Sequence, residues 1–89
     1  MSELPPSQGD QAEIRTFLIA DVRGYTRYTQ ERGDEAAARL ASAFADTVRL
    51  TVEELGGRLV ELRGDEALVV FASPRQAIRT AVALQQRFV

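Results

Sequence analysis

The sequence predicts an α+β domain, an antiparallel sheet with helices on one face. Three observations carry that expectation. A short apolar, β-prone run, Arg15–Val22, is followed by a long segment whose apolar residues recur at three- and four-residue spacing. Two further strand-like runs then flank a Gly-Asp-Glu turn, Gly64–Glu66, of the kind that closes a hairpin. A last helical stretch opens on Ser73-Pro74.

Residues 1–13 are polar, with Pro5-Pro6, Ser7 and Gly9, and have the character of a flexible tail or linker. The domain is expected over 14–89. Its first strand ends at Asp21, and the run before it has the composition of a strand buried on both faces. Arg23-Gly24-Tyr25-Thr26 supplies a glycine turn and a hydroxyl suited to starting a helix, expected over Tyr25–Arg32. Gly33 breaks that helix, and Asp34 is expected to cap a longer one. In the longer helix Ala37, Leu40, Phe44, Val48, Thr51, Val52 and Leu55 form an apolar stripe, and Gly56-Gly57 stops it. Strands are expected at Arg58–Arg63 and Ala67–Ala72. Ser73, Pro74 and Gln76 form a capping box for a final helix with Ala77, Ile78, Ala81, Val82, Leu84 and Phe88 on its apolar side. The order β-α-α-β-β-α is the split βαβ unit of ferredoxin-like and palm-type folds, incomplete by its closing strand.

Composition removes several chemistries. The 89 residues allow one small domain, 45% hydrophobic and 27% charged, so a packed core is expected. With no Cys and no His there is no disulfide framework, zinc finger, Cys nucleophile or Ser-His pair. All 11 basic residues are Arg, which excludes a P-loop lysine and a Schiff-base lysine. The net charge of -2 with scattered arginines gives no footprint for nucleic acid. No segment has the apolar length of a signal peptide or membrane helix, and a cytoplasmic location is expected.

What remains is carboxylate chemistry. Asp21 ends the first strand and Asp65 sits in the hairpin, and in the split βαβ arrangement the two converge at one edge of the sheet. Hard cations such as Mg²⁺ take carboxylate oxygens, and two of them about 3.5–4 Å apart can activate a hydroxyl and neutralise a triphosphate. The turn after Asp21 offers backbone N–H groups at a helix start, a cradle for phosphate. Taken singly, Asp21, Gly24 and Gly64-Asp65 are each explained by turn chemistry, and Glu66 by a solvated turn. Their joint order is what points to a site.

Phe17–Thr26 resembles the opening motif of class III nucleotidyl (adenylate/guanylate) cyclase catalytic domains, and Gly64–Phe71 resembles their metal-binding hairpin. The resemblance covers Arg15–Val89 and marks the chain as the N-terminal half of such a domain. It implies that Asp21, Asp65 and the carbonyl of Val22 hold Mg²⁺ or Mn²⁺. It implies that the amides of Gly24, Tyr25 and Thr26 hold the phosphates of ATP or GTP, and that Glu61 occupies a purine-selecting position, where glutamate favours guanine. Arg63, an apolar position in the family, can instead pair with Glu61 on the same strand face. The family's transition-state Asn and Arg lie in a second half not contained in these 89 residues, and its sites form between two subunits. A homodimer through the complete domain is therefore implied, and an inactive fragment. The competing expectation is a cyclase-like regulatory or dimerisation module without catalysis. The diguanylate cyclases, with a related sheet and Gly-Asp-Glu hairpin, match the turn after Asp21 less well.

Overall fold

The computed structural model describes residues 14–88; the tail expected at 1–13 and the final Val89 lie outside the described residues. The elements are β1 (Thr16–Asp21), α1 (Tyr25–Arg32), α2 (Asp34–Leu55), β2 (Arg58–Arg63), β3 (Glu66–Phe71) and α3 (Pro74–Arg87). The sheet order is β1-β3-β2, with β3 antiparallel to both neighbours. This is the predicted α+β architecture.

The core lies between the sheet and the long helices. Phe44, Val48 and Val52 of α2 and Ala77 and Leu84 of α3 close on Ala67, Val69 and Phe71 of β3. Leu18, Ala20, Leu59 and Leu62 pack against this cluster from the outer strands, and Phe88 meets Phe44 edge to face at 5.4 Å. Gly57 is needed here because a Cβ would fall on the ring of buried Phe71. Gly56 ends α2 in the left-handed region at φ 90°, as the double glycine predicts. Ser73 caps α3, its Oγ accepting the Gln76 N–H at 3.3 Å.

Five expectations change. β1 is buried on one face only: Phe17 and Ile19 are 60% and 66% exposed, because the helices cover a single side of the sheet. The N-cap of α2 is Gly33, not Asp34; Asp34 is the first helical residue, where its charge complements the helix dipole. The N-cap of α1 is likewise Gly24, with no side-chain cap from Thr26. On α3, Ile78 and Val82 face outward and Thr80 takes the buried position. β3 also runs one residue earlier than expected, bringing Glu66 out of the turn and into the sheet.

Candidate functional site

β1 and the β2–β3 hairpin meet at the end of the sheet where Asp21 lies. Asp21 stands directly opposite Glu66, and one residue on the Val22 N–H donates to the Asp65 carbonyl at 2.9 Å. That bond extends the β1–β3 ladder past the strand and holds the two motifs side by side. Asp21 is exposed and Asp65 half-buried.

Opposed carboxylates at Asp21 and Glu66 repel, since directly facing like charges destabilise a sheet pair. Arg63 completes the row, opposite Glu66 on the far side. Its guanidinium donates from Nη2 to Glu61 Oε2 at 2.5 Å. The hydrogen bond and charge of Glu61 raise the Arg63 pKa, and Glu66 adds a smaller push the same way. Glu61 is therefore engaged by Arg63 on the helix-free face of the sheet. A bulge between Leu59 and Glu61 puts it there: Leu59 and Leu62, three apart, both turn to the core and Glu61 turns away. Ile19, Glu61, Arg63, Glu66 and Leu68 border a shallow depression of about 110 Å³ on this face.

The turn after Asp21 is shaped by Gly24, at φ 72° and ψ 19°. Among the described residues nothing lies within 4 Å of where a Cβ would stand. The first intrahelical donor is Tyr28, bonded to the Gly24 carbonyl at 2.9 Å. The amides of Tyr25 and Thr26 thus belong to the helix start, whose N–H groups lack helical acceptors. The first turn of α1 carries no acidic side chain to compete with an anion. The Tyr25 hydroxyl donates to the Ala37 carbonyl at 3.1 Å and ties this turn to α2.

The donor set suits a hard cation in one way only. Among the described residues no cluster of three or more Asp, Glu, His or Cys is arranged to hold a metal by itself. Mg²⁺, however, is usually held by one or two carboxylates, with water and substrate phosphates completing its octahedron. Asp21 and Asp65 are two carboxylates at this end of the sheet, next to the Gly24 turn. Glu66 and Arg63 were not singled out for the site by the sequence motifs; the hairpin register was the missing signal.

No family model matches the chain. It is 35% identical over 80 residues to an adenylate cyclase of Streptomyces coelicolor, covering 85% of this chain and 21% of that protein. It is 36% identical over 72 residues to the serine/threonine-protein kinase pkn2 of Myxococcus xanthus, 81% of this chain and 9% of that protein. The chain therefore spans about a fifth or less of the curated relatives it matches. Among solved structures, the guanylyl cyclase Cya2 superposes with a TM-score of 0.72 at 22% identity, over 84% of this chain and 43% of that one.

The fold is that of an α+β cyclase-type domain, with a strand-end aspartate set beside a Gly-Asp hairpin. Sequence and fold both liken the chain to part of a class III nucleotidyl cyclase domain. Among the described residues no helix is long and apolar enough to cross a membrane.

Proposed function

We propose that this chain supplies the metal- and phosphate-binding part of a nucleotidyl cyclase that converts ATP or GTP into a cyclic 3′,5′-nucleotide and pyrophosphate. The observation that carries the proposal is the Val22–Asp65 backbone bond, which sets Asp21, Asp65 and the Gly24 turn at one end of the sheet. Asp21, Asp65 and the Val22 carbonyl would hold Mg²⁺ or Mn²⁺. Bound there, such cations would supply activation of the 3′-hydroxyl and neutralisation of charge on the triphosphate. The amides of Gly24, Tyr25 and Thr26 orient the outer phosphates, and no described residue lies within 4 Å of where a Gly24 Cβ would stand. A fixed triphosphate and ribose turn ring closure into an intramolecular displacement, in which the 3′-oxygen bonds to the α-phosphorus and pyrophosphate leaves.

The Asn and Arg that the family uses on the transition state would come from the remainder of the domain, and the complete site from a homodimer. Nucleoside triphosphate supply agrees with a cytoplasmic location and a signalling role. In a polypeptide joining this chain to the rest of a cyclase domain, cyclic product is expected with Mg²⁺ or Mn²⁺. Asp21→Ala and Asp65→Ala should each lower the rate by a hundredfold or more, on the order of 3 kcal/mol of lost transition-state stabilisation. Absence of product at any metal concentration, from a folded complete domain, contradicts the proposal.

A second reading has its own support. Arg63 holds the carboxylate of Glu61, the purine-selecting position, and such an engaged group suits a regulatory or dimerisation module that no longer reads a base. Arg63→Ala discriminates: it sharpens the preference between GTP and ATP in an active enzyme and changes nothing in an inactive module.

A further inference from the structure

Arg63 holds only one oxygen of Glu61. Its Nη2 donates to Glu61 Oε2, and among the described residues Glu61 Oε1 and the other guanidinium N–H groups have no hydrogen-bond partner. We propose, resting on the nucleotide reading above, that Arg63 and Glu61 together read a purine as one donor beside one acceptor. The site then takes ATP and GTP alike, and Arg63 is the residue that removes the choice between them.

The sheet register puts the pair within a nucleoside's reach of Asp21. Asp21, Glu66 and Arg63 form one row across the helix-free face, and Ile19, Leu68 and Glu61 form the next. The rows lie two residues apart, about 7 Å along the strands, and two strand spacings put Arg63 about 10 Å from Asp21. A ribose and a purine ring span such a distance when the triphosphate lies at Asp21 and the Gly24 turn. The depression on this face offers the apolar side chains of Ile19 and Leu68 for a flat ring to lie on, and Glu61, Arg63 and Glu66 bring charge to its border.

The edges of the two bases decide what the pair can read. Adenine presents the N7 acceptor beside the N6 amine donor, and guanine presents the N7 and O6 acceptors beside the N1–H donor. Arg63 donates to N7 or O6 while Glu61 Oε1 accepts from N6 or N1, so each purine makes one bond of each kind. The 2-amine of guanine goes unread, because the carboxylate oxygen that would accept from it is held by Arg63. Without Arg63, both oxygens of Glu61 can take the adjacent N1–H and 2-amine donors of guanine, a match that adenine lacks. The ion pair is solvent-exposed on both sides, so removing Arg63 alters what Glu61 can accept and leaves the fold intact.

Inosine triphosphate, which is GTP without the 2-amine, separates the two cases. Calorimetric titration of the 89-residue chain with ATP, GTP and inosine triphosphate, each with Mn²⁺, should give dissociation constants within about threefold of one another. In Arg63→Ala, GTP should bind about tenfold more tightly than either of the others, the gain of one hydrogen bond to a charged group. Arg63→Lys keeps a donor beside Glu61 and should keep the three nucleotides alike. A preference of the unaltered chain for GTP over inosine triphosphate, or equal affinities in Arg63→Ala, would overturn the proposal and leave the nucleotide reading standing. Binding of none of the three, or binding unchanged by Asp21→Asn, would overturn both.

Discussion

Thr51 and Thr80 are both fully buried hydroxyls on the two long helices, and they differ in their partners. Thr51 Oγ1 accepts from Arg87 Nη1 at 3.2 Å, and the same guanidinium reaches Glu54 at 2.7 Å. The Thr80 hydroxyl has no partner among the described residues. An unmet buried hydroxyl costs free energy, whereas a met one is near neutral or favourable. Thr80→Val is therefore expected to raise stability by about 1 kcal/mol and Thr51→Val to lower it by a similar amount. Urea midpoints of the two variants check this, and a fall for Thr80→Val would contradict it. The exposed Arg63–Glu61 pair is different in kind, since solvent screens it and its removal should leave the midpoint nearly unchanged. The raised Arg63 pKa keeps the guanidinium charged throughout the ordinary pH range. Whatever the raised pKa contributes is present below the unfolded value and fades only in strong alkali, as pH climbs through the folded one.

Elements meet at closer tolerance than single side chains reveal. At Gly57 the chain leaves α2 for β2 against the face of Phe71, a ring that is 1% exposed and cannot withdraw. Gly57→Ala is expected to cost about 1–3 kcal/mol, the usual range for overpacking. Thermal unfolding with and without the substitution tests that, and an unchanged midpoint would show that β2 moves freely relative to β3. Glycine and proline punctuation made α1, the end of α2, β2 and the start of α3 legible, because Gly33, Gly56 and Ser73-Pro74 act through local backbone geometry. Tertiary choices were not legible. An alternating pattern cannot announce the bulge that turns Glu61 away from the core, nor does composition say that β1 has only one covered face. Thr80 displaced Ile78 and Val82 from the buried side because three- and four-residue spacings permit either stripe, and packing on α2 and the sheet decides between them.

At the scale of the whole molecule, helices cover one face of the sheet and leave the other bearing Asp21, Glu61, Arg63 and Glu66. The placement of Asp21 and Asp65 at one end of the sheet was legible because both stand at glycine-marked turns, where sequence and backbone geometry are closely tied. Their neighbours were not, since Glu66 opposite Asp21 is a fact of register between segments 45 positions apart (66 − 21). The central claim is that the strand-end turn and the hairpin form one cation- and phosphate-binding locus. Paramagnetic broadening of amide resonances by Mn²⁺, in the presence of ATP or GTP, tests it on the chain itself. Broadening should centre on Val22–Thr26 and Gly64–Glu66 and disappear in Asp21→Asn. Broadening spread over the other acidic residues, such as Glu53 and Glu54 on α2, or unchanged in Asp21→Asn, would contradict the account.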